Sequence, residues 1–291
     1  MANFIKSSTD TYHLCSSGTR SDLLFHNRSE FIDGMNIIAS AINATGLELL
    51  AFCLMDNHFH FILCADTEEE IKTFGTKVSQ LYQRRNGTSL ERTVKESIRW
   101  WYATLDSEEY VKTAIAYTLK NPTNAFYPKK SLSYPWSSGN LYFRDEMELE
   151  TLFRVYQRIG EMKATKVRSL LKTQHHFPEN WYMTDYGFIW PGSYVNWQRV
   201  ETLFGGPKSF QYYISATKKE QMEGLLENQR RVCISDLEIR DAAKSLCAEL
   251  YGCNRIGEVN LQGRCEIARR LKLKFGCSSK QIDRILHLAH K

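Results

Sequence analysis

The chain has 291 residues, 43% hydrophobic and 12% aromatic, with net charge +5. That length can bury a substantial core in two or three domains, and a mild positive charge suits an anionic partner without demanding one. No apolar run reaches the length of a membrane span, the start Met1–Lys6 lacks the apolar core of a secretory signal, and the eight cysteines form no CxxC pair. The expectation is a cytoplasmic protein with reduced thiols and no membrane partner. Cys253, Cys265 and Cys277 do not have the spacing of a zinc site.

Tyr12 to Ser16 reads as a strand, followed by a Ser/Gly/Thr turn. Asn27 caps a helix to about Asn43, whose apolar positions keep helical spacing, and Gly46 is its stop. Two strands follow, Leu47 to Met55 and His58 to Ala65, joined at the turn pair Asp56-Asn57. Side chains alternate on a strand, so His58 and His60 share one face while Phe59 and Phe61 take the other. Two imidazoles side by side on a sheet face can hold a divalent metal; the alternative is a pair of half-exposed histidines in water.

Thr67 with Glu70 is a capping box, opening a helix that stops near Asn86-Gly87. Arg84 and Arg85 near its end are candidate nucleic-acid contacts, as is Lys120 further on. Ile98 to Ala103 reads as another strand. The order strand, helix, strand, strand, helix, strand predicts an α+β fold: a ferredoxin-like or RRM-like antiparallel sheet with helices on one face and the other face open.

A helix then starts at Asp106-Ser107-Glu108-Glu109, continues as YVKTAIAYTLKN and is stopped by Asn121-Pro122. Tyr117 and Asn121, four residues apart at about 100° per residue, share one of its faces. Taken alone, Tyr117 reads as an aromatic at the core edge, and Tyr102, Tyr110 and Tyr127 compete with it for any chemical role.

Glu146 to Lys172 is charged and helical in period, with a basic stripe of Lys163, Lys166, Arg168 and Lys172 that reads either as a solvated face or as a DNA contact. His175-His176 reads as surface. Phe177 to Tyr213 is dense in aromatics, which either stack unpaired bases or form a core against the neighbouring domain. The remainder is all-α: one helix over Leu237–Tyr251, a second over Gly263–Phe275, a turn at Gly276-Cys277, and a third over Lys280–Ala289. Helix, Gly-containing turn and capped helix form a helix-turn-helix pattern. From Gly263 to Lys291 eight basic residues face two acidic ones, a net +6, and Arg264, Arg269, Arg270, Lys280 and Arg284 are candidate DNA contacts. The expected domains are 1–145, a basic and aromatic connecting region 146–230, and a DNA-binding module 231–291.

Three separated motifs carry a resemblance: DNHFHFIL, the acid-started helix ending AYTLKNP, and Tyr134-Pro135-Trp136-Ser137-Ser138. In that order, over about Tyr12 to Tyr142, the chain resembles the HUH single-tyrosine transposases, and most closely their REP-associated branch. The C-terminal module resembles the DNA-binding domain of replication initiators. The resemblance implies that Tyr117 is the nucleophile, that His58, His60 and Asn121 hold Mg2+ or Mn2+, and that the substrate is single-stranded, hairpin-forming DNA cut through a 5′-phosphotyrosine. In such relatives the tyrosine helix can serve a partner's histidines, which leaves room for a homodimer with composite sites. Thr123-Asn124-Ala125-Phe126 departs from the family, where a hydrophobic residue and Gly often follow Asn-Pro. The expected setting is the nucleoid. A domesticated nicking enzyme and a non-catalytic RRM-like nucleic-acid-binding protein are the alternative readings, and the intact His58, His60, Tyr117 and Asn121 argue against the second. The absence of a GxxxxGK[ST] loop agrees with strand transfer that needs no nucleotide triphosphate.

Overall fold

The structure is a computed structural model that describes residues 10–16, 23–86, 98–124, 131–149, 151–217, 231–233, 236–275 and 279–288. The first part builds β1 (Asp10–Ser16), α1 (Arg28–Thr45), β2 (Glu48–Leu54), β3 (Phe59–Ala65), α2 (Glu68–Asn86), β4 (Trp100–Leu105) and α3 (Glu108–Asn124). The local signals act where the sequence puts them. The Asn27 side chain accepts from the Glu30 amide at the start of α1, and Gly46, left-handed at φ 68°, ends the helix with its N–H on the Ile42 carbonyl. Thr67 and Glu70 exchange the reciprocal bonds of a capping box before α2.

The strands form one antiparallel sheet in the order β2-β3-β1-β4-β7, where β7 is Arg231–Cys233. Sequence-distant β1 therefore lies at the centre, between β3 and β4. Phe59 and Phe61 face α1 and α2: Phe61 meets Phe74 edge-on, and both rings meet Trp100, which Gly75 lets α2 approach. Burying each such ring stabilises the fold by about 2–3 kcal/mol.

The α+β class and the two helices on one face are as the sequence predicts. The opposite face is not bare, because α3 lies across it and brings Tyr117 onto His60 and His13. A bare RRM-like stacking platform is therefore not present on this part of the sheet. Pro122 does not end α3, which runs to Asn124. A proline this close to a helix end forgoes one backbone bond without breaking the turns before it.

The sheet edge at β2 is covered. Its backbone bonds the stretch after α3: the Leu54 amide donates to the Trp136 carbonyl, the Ser138 amide to the Phe52 carbonyl, and the Tyr134 and Tyr142 hydroxyls to the carbonyls of Leu54 and Leu50. The YPWSS stretch thus occupies an edge that would otherwise be open to pairing.

From 146 to 172 the chain is mostly not helical. Its described residues contain β5 (Val155–Arg158), which pairs with β6 (Tyr182–Thr184), a short 3-10 turn at Ile159–Glu161 and one α-helix, α4 (Ala164–Leu171). After α5 (Trp197–Phe204) and α6 (Pro207–Ala216), the aromatic region resolves as core: Phe177, Trp181, Phe188, Tyr194, Phe204 and Phe210 join the sheet's own hydrophobic cluster, leaving Tyr186 and Tyr212 exposed. A second cluster is built by α7 (Asp236–Tyr251), α8 (Leu261–Phe275) and α9 (Ser279–Leu286) around Ile239, Ile267, Leu271 and Ile282. Gly276-Cys277, the expected turn, lies outside the described residues. No helix among the described residues is long and apolar enough to cross a membrane.

Candidate active site

β1 and β3 are hydrogen-bonded neighbours, and their register sets Cys15 directly opposite His60. Alternation along β1 puts His13 on the same face. The His13 and His60 rings stack at 5.2 Å, with His13 Nε2 and His60 Nδ1 3.0 Å apart. His58 meets His60 at 4.7 Å between ring centres and 79° between planes. The Asn57 side-chain oxygen lies 2.6 Å from His58 Nδ1. A carbonyl oxygen only accepts, so His58 Nδ1 carries the proton and its lone pair sits on Nε2, as when a hydrogen bond behind the ring orients a metal-binding histidine.

Tyr117 closes this group from α3. Its ring stands edge-on to His60 at 5.7 Å and to His13 at 6.0 Å, and the residue is 4% exposed. Asn121, one turn on and also buried, donates its amide nitrogen to the Tyr117 carbonyl at 3.0 Å. That bond uses the nitrogen and leaves Oδ1 as the donor Asn121 offers a cation. Imidazole nitrogens and an amide oxygen are both donors that a divalent metal ion can accept. A single chain brings Tyr117 to His60, so this contact needs no partner copy.

The competing tyrosines sit elsewhere. Tyr102 donates its hydroxyl to Glu68 at 2.7 Å, on the sheet face that carries α2. Tyr110 is buried, and desolvation followed by Asp106 raises its pKa. Tyr127 lies outside the described residues.

Sequence reasoning missed His13 and Cys15. The HxC alternation in β1 was legible as a shared face, but nothing local says that this face adjoins His60. The basic candidates divide. Arg85 is enclosed, paired with Asp33 at 2.6 Å and bonded to the Leu171 carbonyl. Lys120 donates to the carbonyls of Ser215 and Thr217, at 3.2 and 2.8 Å, tying α3 to the end of α6. Arg264 donates to the carbonyls of Leu286 and His287, each at 3.2 Å, where it caps α9. These three make their hydrogen bonds within the fold, at packing contacts and helix ends. Arg84 and Arg284 are exposed, and Arg269 and Arg270 are exposed but share Glu266. The side chain of Lys280 lies outside the described residues.

No protein-family model matches the chain, and no curated protein does. Among solved structures, one described as a REP-associated tyrosine transposase bound to a REP hairpin is similar over 47% of this chain and 82% of that one, at 14% identity and a TM-score of 0.38.

Proposed function

We propose that the chain is a metal-dependent DNA strand transferase acting on single-stranded, hairpin-forming DNA, with Tyr117 as the nucleophile. The observation that carries the reading is the edge-on contact of Tyr117 with His60, beside His58 and one helical turn from Asn121. The motif resemblance points the same way. His58, His60 and Asn121 would hold Mg2+ or Mn2+, which supplies charge neutralisation at a non-bridging phosphate oxygen when bound.

The tyrosine hydroxyl attacks phosphorus, its oxygen forms the new ester, and the bond from phosphorus to the 3′ oxygen breaks. The phenol proton leaves, and the departing 3′ oxygen takes up a proton. The product is a 5′-phosphotyrosine and a free 3′-hydroxyl. Attack by a 3′-hydroxyl on that ester restores Tyr117 and rejoins DNA, so the phosphodiester's energy is conserved. A fixed position beside the phosphate site matters because orientation can supply several kcal/mol of a barrier, on the order of 7 or more.

Tyr117→Phe removes only the hydroxyl. Wild type incubated with end-labelled hairpin single strands and Mn2+ should give a protein–DNA adduct on denaturing gels, and the variant none. An adduct that persists in Tyr117→Phe and disappears in Tyr110→Phe or Tyr127→Phe overturns the assignment. Cleavage by wild type without any adduct indicates attack by water instead.

A further inference from the structure

A second donor set lies on the neighbouring strand, and the strand-transfer reading leaves two of its members without a task. His13 and Cys15 occupy one face of β1, and Cys15 pairs across to His60 on β3. One ring nitrogen of each histidine and Cys15 Sγ lie within 4.8 Å of one another, and all three residues are buried. The geometry points to a zinc site made by His13, Cys15 and His60, a soft-metal staple between the two central strands of the sheet. It shares His60 with the site proposed for Mg2+ or Mn2+, and because zinc on Nδ1 leaves the ring proton on Nε2, the two ions exclude one another at that ring.

The spacing fits. Four-coordinate zinc with bonds to nitrogen of about 2.0–2.1 Å separates two nitrogen ligands by about 3.3 Å. His13 Nε2 and His60 Nδ1 are 3.0 Å apart, so the rings need to part by only a few tenths of an ångström, about as much as side-chain torsions allow in a packed sheet. A bond to sulfur of about 2.3 Å places the thiolate about 3.6 Å from each nitrogen, and with the three ligand atoms within 4.8 Å of one another the thiol closes by at most about 1.2 Å. Paired backbones hold all three Cα positions, so the ligands are gathered before the metal arrives.

The donor set also selects. Thiolate and imidazole favour zinc, whereas Mg2+ and Mn2+ favour oxygen. The proton balance is simple. The Cys15 thiol loses its proton to solvent as sulfur binds. The proton lying between the two imidazoles moves to the outer nitrogen of the ring that carries it. One proton is released per zinc. Cys53, also opposite His60 on the β2 side, already donates its thiol to Met55 Sδ at 3.6 Å.

The test uses the full-length chain, stripped of metal and titrated first with Co2+. We expect a thiolate-to-cobalt charge-transfer band that saturates at one equivalent and is erased by one equivalent of Zn2+. Cys15→Ser should abolish the band. His13→Ala should weaken Zn2+ binding by about tenfold or more, since even residues behind the ligands contribute that much. His58→Ala should leave the band and the Zn2+ affinity unchanged. Absence of the band in wild type overturns the site whatever the variants do. So does a band that survives Cys15→Ser in a folded protein, or one lost in His58→Ala.

Discussion

Arg85 ends α2 with its guanidinium only 7% exposed, held by Asp33 from α1 and the Leu171 carbonyl at the end of α4. Lys172 completes the group on the other Asp33 oxygen at 2.7 Å. Desolvation lowers the Arg85 pKa and Asp33 opposes that, as a buried cation beside its counter-charge should behave. Asp33→Ala leaves the guanidinium buried without its carboxylate, and unfolding in urea should then show a loss of about 3 kcal/mol. A loss below about 1 kcal/mol would mean that Arg85 reaches water at little cost and that the junction does not depend on the pair.

At the scale of elements, α1 comes close enough to the strand before the histidines that Gly34 has no room for a side chain. A Cβ there would stand 2.6 Å from Leu54 Cδ2 and 2.8 Å from Phe25 Cε1. The backbone amides of Leu24 and Phe25 bond the Asp56 carbonyl in the turn leading to His58, at 2.7 and 2.9 Å, so a shift of Phe25 reaches the site. Gly34→Ala gains helix propensity of about 1 kcal/mol and loses about 1–3 kcal/mol to overpacking. The expected net effect is a lowered melting temperature, followed by circular dichroism, with a larger drop in Gly34→Val. A neutral or raised value for both variants would show that α1 can retreat from the sheet freely.

Over the whole molecule, two hydrophobic clusters meet at β4. Trp101 lies on the His60 face of the sheet and packs against the cluster of the last three helices, while β7 pairs along the outer edge of β4. A truncation after Cys233 keeps β7 in place and removes only α7 to α9. If those helices bind DNA, the truncated chain should bind hairpin DNA more weakly and with a flatter dependence on salt, because fewer phosphates are neutralised. The removed segment 234–291 carries eleven basic and seven acidic residues, a net +4, and Arg264 within it is spent on a helix end, so the flattening should be modest. Equal affinity and equal salt slope for the truncated chain would take the module out of DNA binding.

The sequence by itself determined what is local. Asn27 and Gly46 bound α1, Thr67 with Glu70 opens α2, and the alternation His58-Phe59-His60 assigns faces, because caps and periodicity act within a few residues. Tyr117 and Asn121 could be put on one helical face for the same reason. Only the tertiary structure decided which strand adjoins β3, and with it the pairing of Cys15 and His13 with His60 across more than forty residues of chain. It also decided that the sheet's second face is covered by α3, that Phe177, Trp181, Phe188, Tyr194, Phe204 and Phe210 are core, and that Arg85, Lys120 and Arg264 are engaged within the fold. Strand order, register and the burial of a charge depend on contacts between distant segments, and neither composition nor spacing along the chain encodes where those segments meet.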